Sequence, residues 1–157
     1  MQKTLRRMQE KRANGDGGFT LVELLVVVVI IGVLVAIAIP LYLNFRKGAA
    51  NKSAQSDVRG AISAIEQYYT ENSNVYPPTQ IGTLSTTMVF PAVGSGPDQK
   101  ATVSAGNTLS YKNNTASYVV CGQNSDGGTV YVYNSLNGGS TVESTTATLV
   151  LCVAAGS

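Results

Sequence analysis

A chain of 157 residues with 13% charged side chains and no histidine is too short for two sizeable domains and poorly equipped for catalysis. Without histidine, Ser-His and Cys-His nucleophile activation and the commonest metal ligand are all excluded. The formal net charge of +2 lies at one end: Lys3, Arg6, Arg7, Lys11 and Arg12 oppose only Glu10 and Asp16, whereas Arg46, Lys47, Lys52, Arg59, Lys100 and Lys112 face seven Asp or Glu, so DNA binding has no support from overall charge.

Residues 1–18 read as a polar, basic leader without a stable fold, whose charge keeps this end cytoplasmic by the positive-inside tendency. From Leu24 to Leu43 there follow twenty residues with no charge and no side-chain amide. As a helix they are roughly 30 Å long, the thickness of a bilayer's hydrocarbon core. Glu23 is the one carboxylate at the entrance to this run. A secretory signal places its small-residue cleavage site after a shorter apolar segment; here Gly17-Gly18 precedes the segment, so cleavage leaves the anchor on the mature chain. The competing reading is the cytoplasmic tail of a permanent signal anchor.

The order of these features is the informative part. A basic leader, Gly18, then Phe19-Thr20-Leu21-Val22-Glu23, then the apolar run with Pro40 near its end, resembles the type IV pilins and their secretion-system relatives, the pseudopilins. The resemblance covers about Gly17 to Pro40, with weaker similarity through Tyr69. It implies an α+β pilin fold, a long N-terminal helix packed on a small C-terminal antiparallel sheet of three to four strands. It implies that a prepilin peptidase, also an N-methyltransferase, cuts between Gly18 and Phe19 and methylates the new amine of Phe19. An assembly platform would then build a homo-oligomeric helical filament with the apolar helices at its core. The subunit would start as a single-pass prepilin in the cytoplasmic membrane and end in an extracellular filament.

One helix is expected from Phe19 to about Asn72, its part through residue 45 in the membrane and then the filament core. Gly32 is a weak helix former and Pro40 lacks a backbone donor, so the stretch between them is the helix's soft part; in lipid this favours a kink over an open break. The resemblance implies that this stretch loses helicity within filaments, and a kink tolerated for packing alone is the alternative. Glu23 is costly at the edge of an apolar bundle unless paired. Cleavage creates a positive amine at Phe19, and a neighbouring subunit could bring that amine against Glu23, consistent with what the resemblance implies. The alternative is a carboxylate held among lipid headgroups.

After Arg46-Lys47 the pattern becomes one-sided. Ala54, Val58, Ala61, Ile62, Ile65 and Tyr69 recur at spacings of three and four, which predicts an amphipathic helix over 46–72 covering a sheet, with Asp57, Arg59 and Glu66 as solvated charges or subunit contacts. Residues 73–106 are broken by Pro77, Pro78, Pro91 and Pro97 and read as a helix-to-sheet loop, tucked in by Leu84 and Met88-Val89-Phe90.

The stretch 107–157 reads as antiparallel sheet, with strands at Ser117 to Cys121, Thr129 to Asn134 and Thr146 to Val153, and a short fourth at Thr141 to Ser144. The turn sequences between them, 124–128 and 137–139, are rich in Asn, Asp and Gly, which tolerate positive φ. In Val130-Tyr131-Val132-Tyr133 the alternation is expected to put the valines under the helix. Cys121 and Cys152 lie in predicted strands outside the membrane, where a disulfide closing that loop would contribute about 3 to 4 kcal/mol by the chain-entropy model; two buried thiols are the alternative. Residues 124–128 lack the ligand count and closing Glu of a calcium loop, so no metal or other cofactor is expected.

Three function classes fit: a type IV pilus subunit serving adhesion, motility or DNA uptake; a pseudopilin of a type II secretion system; and a signal-anchored binding domain. None is an enzyme. The cysteine pair favours the pilus, since the resemblance implies that major pseudopilins rely on bound calcium instead.

Overall fold

The computed structural model describes residues 18–83, 86–93 and 96–144. The leader before Gly18, Leu84, the strand expected at Thr146 to Val153, and Cys152 lie outside them. Two compact units, Met1–Tyr42 and Leu43–Ser157, divide the chain.

Helix α1 spans Leu21–Glu71 and carries Pro40 inside it. Its start is a capping box: the Thr20 hydroxyl accepts from the Glu23 amide at 3.2 Å, and the Glu23 carboxylate accepts from the Thr20 amide at 2.9 Å. Its end is fixed by Ser73 and Asn74, both at φ 59°, while the Asn74 amide reaches back to the Tyr69 carbonyl at 3.0 Å. From Leu21 to Phe45 the large apolar side chains are exposed, with Leu34 at 61% and Phe45 at 70%. By length and composition this helix can cross a membrane.

In the second unit, strands β1 (Gln80–Thr83), β4 (Asn107–Asn113), β5 (Tyr118–Asn124), β6 (Val130–Asn134) and β7 (Val142–Ser144) form one antiparallel sheet in the order β1-β4-β5-β6-β7. Strands β2 (Thr87–Phe90) and β3 (Gln99–Thr102) pair as a separate two-stranded ribbon. The α+β architecture agrees with the sequence reading, but the sheet has five strands among the described residues rather than three to four. Two were hidden. The proline-rich connection is not a bare loop: four-residue strands stand among its prolines, too short to show a period. The strand at Asn107–Asn113 carries Lys112 and three asparagines or serines, a composition that reads as turn.

The buried stripe of α1 is Ala54, Val58, Ala61, Ala64, Ile65 and Tyr68, with Ile62 and Tyr69 only partly buried. It packs on Leu109, Tyr111, Tyr118, Val120 and Tyr131. The valines of β6 therefore face the other way, against expectation: Val130 and Val132 cluster with Val119 and Cys121 on the opposite side of the sheet. The cause is the register, which sets Tyr131 opposite Gly122. A Cβ on Gly122 would come within 2.9 Å of the Leu109 side chain and closer still to Val58, so helix and sheet approach here over a bare backbone and the neighbouring tyrosine ring fills the flank.

Tyrosine hydroxyls then tie down the proline-rich connection. Tyr68 donates to the Pro91 carbonyl and Tyr111 to the Pro77 carbonyl, each at 3.1 Å. Met88 and Phe90 are fully buried, so that part of the expected tuck is present, while Val89 is exposed. Burial pushes the Tyr111 and Tyr118 phenols well above their ordinary range, and for Tyr118 the hydrogen bond to Glu66 adds to it.

Candidate functional site

At the N-terminal end of the first unit, Gly18, Phe19 and Thr20 are exposed and precede the first helical turn. The capping box makes this so. With Thr20 as N-cap and Glu23 as the residue three places on, helical hydrogen bonds begin with the Leu24 amide, which donates to the Thr20 carbonyl at 3.2 Å. The bond between Gly18 and Phe19 is left outside the helix. Among the described residues, a Cβ on Gly18 would have nothing within 4 Å.

Glu23 uses one oxygen twice. Its Oε2 accepts from the Thr20 amide at 2.9 Å and the Thr20 hydroxyl at 2.8 Å, and Oε1 accepts no hydrogen bond among the described residues. Gly32 and Pro40 both lie inside α1, which continues through them, and a Cβ on Gly32 would meet nothing within 4 Å.

A second set of groups, unforeseen in the sequence, joins α1 to the turns of the sheet. Asp57, expected as a solvated charge or a subunit contact, is only 7% exposed. Its carboxylate accepts from the Ser104 amide at 2.6 Å, the Ser104 hydroxyl at 2.9 Å and Asn107 Nδ2 at 2.6 Å. Asn107 in turn accepts from Asn124 Nδ2. One helix carboxylate thus satisfies the turn before β4, and the helix periodicity could not reveal it because polar residues on a helix are read as outward by default. Arg59 and Glu66 are exposed, as expected, although Glu66 accepts from the Tyr118 hydroxyl at 2.6 Å.

Asp57→Ala would leave two donors of Ser104 and one of Asn107 without a partner. The expected loss is about 3 kcal/mol of stability, against less than ~0.5 kcal/mol for Arg59→Ala on the open face. Urea unfolding of the detergent-solubilised chain measures both, and equal midpoints for the two variants would show that the carboxylate is not structural.

Further along the same seam, the turn between β5 and β6 sits against the first helical turns of the second unit. Arg46 Nη2 meets Asp126 Oδ2 at 2.7 Å, with both side chains more than half exposed. Asn51 Oδ1 accepts from the Thr129 amide at 3.2 Å, and Gly127 lies so close that any Cβ would overlap the Asn51 side chain. Gly128, Gly138 and Gly139 have φ of 80°, 60° and 86°, the left-handed conformations that the turn sequences call for. Cys121 is buried and disulfide-bonded. No group of three or more His, Cys, Asp or Glu is gathered among the described residues.

Comparison with known proteins bears on the N-terminal end. Residues 14–39 match the family model of the prokaryotic N-terminal methylation motif. Over 75 residues the chain is 36% identical to the type II secretion system core protein G of Aeromonas hydrophila, covering 48% of this chain and 50% of that protein. Over 72 residues it is 38% identical to the core protein G of Vibrio cholerae, covering 46% and 49%. The type IV major pilin protein PilA of Myxococcus xanthus is 39% identical over 54 residues, 34% of this chain and 24% of that one. The chain spans about half the length of the core G proteins it matches. No solved structure matches it.

Proposed function

We propose that this chain is a prepilin-like filament subunit of the pseudopilin kind, working in a type II secretion machinery. One observation carries the reading: a methylation motif runs without interruption into an exposed apolar helix of membrane length. A helix with that much apolar surface needs lipid before assembly and copies of itself after, since neither state leaves it in water. The subunit is anchored in the cytoplasmic membrane, cleaved after Gly18, N-methylated at Phe19, and assembled through α1 with Glu23 as its register contact. Gly32 and Pro40 form the stretch that adjusts during assembly, and a disulfide between Cys121 and Cys152 staples the sheet. Peptidase and assembly platform are its partners.

The secretion assignment replaces the pilus favoured by the cysteine pair alone. It is supported by the core G relatives, which match over a longer stretch than the pilin does. The pilus remains the second reading because Cys121 is disulfide-bonded. Deleting the gene from its host separates the two. The expected result is loss of exoprotein release into the medium with surface pili retained; unimpaired release together with loss of surface pili would transfer the chain to the pilus.

A further inference from the structure

The geometry points to a phospholipid headgroup site at the outer end of the apolar helix, formed by Arg46, Lys47 and Asp126 beside Leu43. It rests on the membrane-anchored reading above. These four residues line a cavity of about 180 Å³. Leu43 is the last residue of the uncharged run, and Arg46 follows three residues later, roughly 4.5 Å further along the helix. If Leu24 to Leu43 fills the hydrocarbon, the two cations and the carboxylate stand in the headgroup layer.

The charges are arranged as a pair of opposites rather than a basic patch. Lys47 makes no hydrogen bond or ion pair among the described residues, and Arg46 spends only Nη2 on Asp126, leaving other guanidinium donors for a phosphodiester. Asp126 spends only Oδ2; its Oδ1 accepts no hydrogen bond among the described residues. A free carboxylate oxygen beside two cations disfavours a headgroup that is purely anionic. It suits one that carries a phosphodiester and a primary ammonium a few bonds apart, as phosphatidylethanolamine does. The phosphate would meet Lys47 and Arg46, the ammonium Asp126 Oδ1, and the acyl chains would run down beside Leu43.

The site has a consequence for the domain, because Asp126 belongs to the turn between β5 and β6. A bound headgroup would hold that turn, and with it the sheet, at the membrane surface until the subunit leaves the bilayer. The same turn is held to the helix by the Asn51 contact to Thr129, so it is in place before any lipid arrives.

The test uses the full chain in bilayers of equal parts phosphatidylethanolamine, phosphatidylglycerol and phosphatidylcholine, with native mass spectrometry reading the lipids retained on release. Flotation of the same vesicles first establishes insertion. The expected result is about threefold enrichment of phosphatidylethanolamine over either other lipid, the weight of one exposed ion pair. Asp126→Asn should erase its advantage over phosphatidylglycerol, and Lys47→Gln should lower retention of both; hydrogen exchange at the Thr129 amide checks that each variant keeps the turn. A chain that floats but retains the three lipids equally, or variants that retain the wild-type pattern, would overturn the site. Displacement of the lipid by inorganic phosphate would make it an anion site unrelated to the membrane. A chain that does not float refutes the anchored reading itself, and the site with it.

Discussion

Glu23→Ala should abolish filaments while leaving cleavage and membrane insertion intact, as counted by electron microscopy and checked by the mass of the membrane-bound subunit. The structure displays one task of the carboxylate. In the subunit, Oε2 closes the capping box on Thr20, an interaction worth about 1 kcal/mol to the first helical turn and too small to decide whether a membrane-length helix forms. The other task is proposed: Oε1 is available to the methylated amine of Phe19 on a neighbouring copy, in surroundings where an unpaired carboxylate costs several kcal/mol. Arg46 and Lys47 are not its local partners, since they follow 23 and 24 residues later, beyond the whole uncharged run.

Glu23→Gln distinguishes the two tasks. Glutamine also completes a capping box, so this variant keeps the helix start and removes only the charge. Loss of filaments with both Ala and Gln identifies the ion pair as the assembly contact. Rescue by Gln would mean that the cap, and not the charge, is what assembly requires.

Gly18→Val should leave the leader on the chain, whereas the wild type should yield a subunit beginning with N-methylated Phe19; intact mass decides between them. The structure removes the usual ambiguity of a glycine substitution. Gly18 is exposed, and a Cβ built on it meets nothing within 4 Å among the described residues. Valine is therefore compatible with the fold of the described residues, and loss of cleavage reports recognition by the peptidase rather than unfolding. A wild-type product that retains the residues before Phe19, in cells that carry the peptidase, would remove the prepilin reading altogether.

How much of this was legible beforehand varies along the chain for identifiable reasons. The anchor and the helix end near Asn72 are local and were read from composition and pattern, whereas the helix start was expected at Phe19 and the cap of Thr20 and Glu23 sets it at Leu21. The turns at 124–128 and 137–139 are local too, because positive φ selects for glycine wherever the turn is built. The candidate processing site was visible for the same reason, being a contiguous motif. The headgroup site was not. It needs Arg46 and Asp126, eighty residues apart, to meet across a folded domain.

The burial of Asp57, the inward tyrosines of β6 and the strands between the prolines belong to this second kind. Alternation in Val130-Tyr131-Val132-Tyr133 specifies two faces and says nothing about which one the helix covers. That choice was made by Gly122, where the absence of a side chain lets Val58 and Leu109 close over the sheet and the paired tyrosine ring fill the flank. Likewise a helical wheel sorts Asp57 with the solvated charges, and only the turn before β4, folding back with three unsatisfied donors, makes the buried position favourable. Sequence by itself determined where the chain is apolar, where its helix stops and where it turns, because those depend on neighbours along the backbone. Tertiary structure alone decided which face is inside and which distant polar groups satisfy one another, because hydrogen bonding and close packing are settled between segments that the sequence does not order in space.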